Sequence, residues 1–242
     1  LSRGLSDEPE GLSLAIASLL KFEEPIERAL KTRINPFEVN VSEIISSLTQ
    51  VPLLSTIMRI SPIPDFEIET LLTSVRAAIL FNLKKLTETS EIISFTSALA
   101  LQCFTNEYVY FKSQEEHEEL AKLEEIVEKE LSVSHQPRPI ELLCLASYKA
   151  LHEYSWSELV RIPHELDTIV KRQIRDFNEE HRLVDTIPKL KNTVSNNVSI
   201  AVRQQYEENP YPRWVICNHL KTPKSIRELV KSIKLNVNEQ IL

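Results

Sequence analysis

Residues 206–214 read YEENPYPRW, the densest cluster of ligand-competent side chains in the sequence. Tyr206, Tyr211 and Trp214 offer aromatic faces, Arg213 a guanidinium and Asn209 an amide, on a backbone stiffened by Pro210 and Pro212. Such rigid presentation suits clamping a planar or cationic group, because an aromatic face attracts a cation through its quadrupole. The same loop would serve as a corner packed against a core or a neighbouring domain.

Other chemistry is missing by pattern. A zincin helix carries a second His four residues after the first, so that both imidazoles share one face. Behind His117-Glu118 and His152-Glu153 that position holds Ala121 and Trp156, and behind His164-Glu165 it holds Thr168. No serine sits in the glycine-flanked turn of a hydrolase nucleophile elbow. Gly4 and Gly11 are the only glycines. Phosphate cradles and dinucleotide fingerprints need glycine for positive φ and close backbone approach, so no complete active site, no catalytic residue and no metal site is expected here.

Cys103, Cys144 and Cys217 form an odd set without a C-x-x-C pair. The apolar contexts ALALQCF and IELLCLA predict buried, inert thiols at the first two and a reducing, cytoplasmic compartment. The chain of 242 residues is 42% hydrophobic, long and apolar enough to bury a core, and its net charge of -7 speaks against a nucleic-acid partner. Apolar runs fall far short of the roughly 20 residues that span a bilayer, so no membrane partner is expected. The opening LSRGLSDEPEG has no apolar stretch behind a basic start, which argues against a secretory signal, and its missing Met suggests an excised piece.

The elements that position these residues are helices. Apolar spacing of three and four runs almost throughout, strand alternation never persists, and no repeat period emerges, which predicts an all-α, irregular multi-helix array with no Rossmann core. Helices are expected over 10–22, 24–33, 42–50 and 52–60, before a proline break at 61–65. Beyond it, Ile68, Leu71, Leu72, Val75, Ala78 and Ile79 form one stripe, and Ile92, Ile93, Phe95, Leu99, Cys103 and Phe104 a second; these two helices should be the centre of the core. Ser113 with Glu116 predicts a capping box, followed by a helix buried through Leu120, Leu123, Val127 and Leu131. Its other face carries most of the eight glutamates between Glu115 and Glu130, read as a solvated surface or a dock for a basic partner.

Pro137 and Pro139 should open a helix through Leu142, Leu143, Leu145, Tyr148 and Leu151, and Ser155 with Glu158 a second capping box on a short helix ending near Pro163. His164 to Arg182 reads as a longer amphipathic helix. Val194, Val198, Ile200, Ala201, Val202 and Tyr206 fit another, which must end at Asn209 because a residue before proline leaves the α region. Thr222 and Pro223 cap a last helix bearing Ile226, Leu229, Val230 and Ile233 on one face. The resulting division is 1–60, an N-terminal helical segment; 61–190, a central helical domain; and 191–242, a helix, the aromatic-proline loop and a helix.

The stretch RQQYEENPYPRW at 203–214 resembles the element that precedes the catalytic core in a family of bacterial class I S-adenosylmethionine-dependent methyltransferases, often fused to tetratricopeptide repeats. SPIPDFEIETLLTSVRAAIL at 61–80, LALQCFTNEYVYF at 99–111 and VKRQIRDFNEEHRLVDTIP at 170–188 fit the same pre-catalytic region. The resemblance implies that a Rossmann-like methyltransferase domain follows as this chain's partner, with S-adenosylmethionine as cofactor of the intact protein and none bound by these residues alone. It also implies that Tyr206, Glu207, Asn209, Tyr211, Arg213 and Trp214 form a lid or entry loop at the cofactor pocket, with aromatic faces near the sulfonium. The expected function is therefore a non-catalytic, substrate-presenting or active-site-covering portion of such an enzyme, with a protein substrate as a further partner. The alternative is a free-standing helical protein-protein interaction module.

Overall fold

The computed structural model describes residues 9–161, 166–184 and 186. Those residues are all-α, with no strand among them. In chain order the helices are α1 (Pro9–Leu20), α2 (Glu24–Thr32), α3 (Val41–Thr49), α4 (Pro52–Ile60), α5 (Phe66–Asn82), α6 (Ser90–Thr105), α7 (Gln114–Ser132) and α8 (Pro139–Ala146). After 3₁₀ turns at Leu151–Glu153 and Ser157–Leu159, α9 (Asp167–Val170), a π-turn (Lys171–Arg175) and α10 (Asp176–Val184) follow one another without interruption.

Prolines and short polar side chains open these helices. Pro25, Pro52 and Pro139 occupy the first turns of α2, α4 and α8, where a missing N–H costs nothing. Asn40 caps α3, Asp65 caps α5 and Thr89 caps α6 by accepting from backbone N–H groups of the first turn. The Ser113–Glu116 capping box on α7 forms as expected: Ser113 Oγ accepts from Glu116 N at 3.2 Å and Glu116 Oε2 from Ser113 N at 2.8 Å.

Glycine would normally close helices in the left-handed region, and here other residues do it. At the end of α6 the N–H of Tyr108 donates to Cys103 O at 2.8 Å and that of Glu107 to Phe104 O at 3.3 Å, a Schellman arrangement with φ of 57° at both Glu107 and Tyr108. At the end of α7 His135 N donates to Glu130 O at 2.9 Å and Ser134 N to Leu131 O at 3.0 Å, with φ of 62° at Ser134.

The core is organised around α6. Thirteen of its 16 residues are buried, only Ser90, Glu91 and Ser94 near its start being exposed, and it packs against α3, α4, α8 and α9. α5 shares α3 and α8 with it as neighbours and adds α2 and α7 on its other sides. Both expected stripes are buried, as are Leu120, Leu123, Val127 and Leu131 of α7. One hydrophobic cluster runs from Ile16 through Ile57 and Ile63 to Ile174, so the proline-rich segment 61–65 bends the chain without interrupting the core. No single described helix is long and apolar enough to cross a membrane; α3 and α4 qualify only together, bent by 90°, and both bury side chains in the core.

Two expectations need correction. The helix opened by Pro139 ends at Ala146 rather than continuing through Tyr148 and Leu151; Ser147 Oγ, Ser147 N and Tyr148 N turn back onto the last carbonyls instead. The Ser155–Glu158 capping box does not form, and Trp156 precedes the short 3₁₀ turn without a capping bond. Tertiary packing decides this: Tyr154 and Trp156 stack at 4.5 Å, both buried, and Tyr154 donates to Glu124 Oε1 at 3.0 Å.

Candidate functional site

Tyr206, Glu207, Asn209, Tyr211, Arg213 and Trp214 lie outside the described residues, as do His164, Cys217 and the helix expected after Thr222. The other three stretches that carry the resemblance are described over most of their length, and they meet at the C-terminal half of α6.

Gln102, fully buried there, ties α6 to the proline segment. With its amide oriented by its surroundings, the nitrogen donates to Ser61 O at 3.0 Å and Met58 O at 3.3 Å, and the oxygen accepts from Ile63 N at 3.0 Å. Three residues on, Thr105 Oγ1 accepts from Arg172 Nη2 at 3.3 Å, while Arg172 Nη1 donates to Arg59 O at 3.2 Å and the guanidinium lies 5.7 Å from the Phe104 ring centre. Past the left-handed turn, Phe111 O accepts from Arg76 Nη2 of α5 at 2.6 Å. Residues far apart in sequence are thus fastened to one helix end.

Arg76 is the centre of a buried polar cluster, only 2% exposed. Its guanidinium sits 4.1 Å from the Tyr148 ring centre and 3.5 Å from Glu116 Oε1, and the Tyr148 hydroxyl donates to that same oxygen at 2.5 Å. Glu116, 3% exposed, therefore serves the α7 cap with one oxygen and the cluster with the other. Burial opposes the Arg76 charge, but Tyr148, Cys103 and Glu116 around it offset this and hold its proton above the usual range. Burial pushes the Cys103 thiol up to about 11 and the Cys144 thiol up to about 12, which keeps both protonated and unreactive at neutral pH. The cluster joins α5, α7 and the turn after α8, and its burial leaves no room for a substrate. Its chemistry is structural.

The turn that follows α6 has a different character. Two consecutive residues without glycine in the left-handed region store backbone strain, and the flanking Val109 and Phe111 are 68% and 74% exposed. Arg76 holds this turn from behind through Phe111 O, so its apolar side chains stand on a rigid base.

On the far side, Gln173 of the π-turn is fully buried, its Oε1 accepting from Leu151 N at 3.1 Å and its Nε2 donating to Ala146 O at 3.1 Å. His152 Nδ1 donates to the Gln173 carbonyl at 2.9 Å, and its ring stacks on Phe177 at 3.5 Å. Sequence reasoning missed Arg76, Gln173 and this stack; the available signal was a polar residue on an apolar face, as Arg76 is beside Leu72, Val75 and Ile79.

Among the described residues no group of three or more His, Cys, Asp or Glu could hold a metal ion. His117 turns back on its own helix, Nδ1 donating to Ser113 O at 2.9 Å. The acidic face of α7 is partly committed: Glu116 is buried, Glu124 accepts from Tyr154, and Glu119 and Glu125 pair with Lys122 and Lys129. Surface clefts of about 390 and 470 Å³ flank Arg33 between α2, α3 and α5, and neither gathers a catalytic set. No family model, no curated protein and no solved structure matches the chain.

Proposed function

We propose that this chain is the helical, non-catalytic portion of an S-adenosylmethionine-dependent methyltransferase, which presents the substrate or covers the active site of a Rossmann-like catalytic domain that follows it. The observation that carries this reading is the convergence at the end of α6. Segments 61–80, 99–111 and 170–188 were singled out by resemblance alone, and the contacts of Gln102, Arg172 and Arg76 bring them to one place. Stretches held together for a shared function are expected to assemble in this way. Residues 206–214 would then supply the lid, with Tyr206, Tyr211 and Trp214 near the sulfonium, a contact worth about 0.5–2 kcal/mol. The cofactor would belong to the intact protein, the partner of this chain being the downstream domain and, through it, a protein substrate.

Isothermal titration of S-adenosylmethionine and S-adenosylhomocysteine tests this, using the 242-residue chain beside a version extended through about 200 further residues of its reading frame. Binding by the extended protein alone is the expected result. Binding by neither would overturn the reading in favour of a free-standing helical interaction module, whose supporting observation is the pair of exposed apolar side chains, Val109 and Phe111, either side of the buried Tyr110.

A further inference from the structure

We propose that the π-turn at Lys171–Arg175 is a phase-setting joint, in which Gln173 and His152 act as positioning residues that fix the rotation of α10 and hence the direction in which the chain leaves residue 184. A π-turn is one residue too many for an α-helix, with poorer backbone geometry, and a helix free to choose returns to i→i−4 bonding. What holds the extra residue here is tertiary. The Gln173 side chain bridges two helix-end backbone groups at once, donating to the Ala146 carbonyl at the end of α8, which the Tyr108 hydroxyl also reaches at 3.2 Å, and accepting from the Leu151 N–H at the start of a 3₁₀ turn. His152 takes the Gln173 carbonyl and clamps Phe177 against its ring.

Past Phe177, every described residue of α10 from Asn178 to Val184 is exposed, so among the described residues its register rests on the joint and on the His152–Phe177 stack. Return to an α-helical register would turn every residue of α10 by about 100° and slide it by about 1.5 Å. The joint stands on this geometry; only its use, to aim the chain that carries residues 206–214, rests on the methyltransferase reading.

The test is a pulsed electron-spin distance between labels at Glu128→Cys on α7 and Glu180→Cys on α10, both exposed, in a Cys217→Ser background; Cys103 and Cys144 are buried and stay unlabelled. The wild-type joint should give one narrow distance. Gln173→Met keeps side-chain volume and removes both amide bonds. It should shift that distance by about 5 Å or add a second population, consistent with a rotation of a labelled side chain about the helix axis. An unchanged single distance in a variant that still melts cooperatively overturns the proposal. If Gln173→Met does not melt cooperatively, His152→Ala, at a half-buried position and removing both the bond to the Gln173 carbonyl and the stack on Phe177, carries the same measurement with the same two outcomes. The readout needs no cofactor, so failure of the joint and failure of the methyltransferase reading are seen separately.

Discussion

Arg76 and Glu116 show what a buried ion pair does in a helical body. Removing one partner leaves a charge in the core, which costs several kcal/mol, whereas replacing both by apolar groups is often neutral. Glu116→Leu is therefore expected to lose about 3 kcal/mol in urea unfolding, and Arg76→Met added to it should recover a large part. An additive double variant would show that the two groups act independently. Ser134 teaches the opposite lesson. It sits at φ of 62° with an exposed side chain, and the left-handed conformation costs a non-glycine residue about 1–2 kcal/mol. Ser134→Gly should raise stability by roughly 0.5–1 kcal/mol once the greater freedom of unfolded glycine is subtracted, seen as a higher urea midpoint. The sequence carries only part of this. Arg76 stands on the apolar face of α5, beside Leu72, Val75 and Ile79, but its partners Glu116 and Tyr148 come from other elements, and Ser134 carries none of the glycine signature that normally marks a helix end.

The elements were legible where period alone decides them. The stripes of α5, α6 and α7 are buried as their spacing demands, and the Ser113–Glu116 box opens α7 because Glu116 keeps Oε2 for the cap while Oε1 meets Tyr148 and Arg76. Ser155 and Glu158 have the same spacing, and a stacked Tyr154–Trp156 pair overrides it. The π-turn was hidden for a related reason, since its extra residue is held by Gln173 reaching across to another element. Caps also carry a pH signature. Burial works against the Asp65 charge, but Lys21 and the N–H groups of Ile68 and Glu67 outweigh it and lower its pKa. With the folded value below the unfolded one, near 3.9, its stabilisation is complete above that pH and drains as pH falls through the folded value. Asp65→Asn keeps a competent cap and removes the charge next to Lys21, 2.9 Å away. The variant should be about 0.5–1 kcal/mol less stable at pH 7, and the gap should close below about pH 4 in acid titrations of the melting temperature.

At the scale of the whole molecule, the candidate site was legible only in outline: three stretches could be named from resemblance, but their meeting point at the end of α6 comes from contacts such as Arg172 to Thr105 that no spacing rule anticipates. The arrangement around α6 has a practical consequence. Cys103 and Cys144 lie on α6 and α8, the central helix and a neighbour packed directly on it, both fully enclosed. A small thiol-trapping reagent can reach them only when that pair of helices comes apart. In a Cys217→Ser chain, the trapping rate in native buffer would therefore act as a clock for opening of the innermost layer, separable from fraying of the outer helices, which carry no cysteine among the described residues.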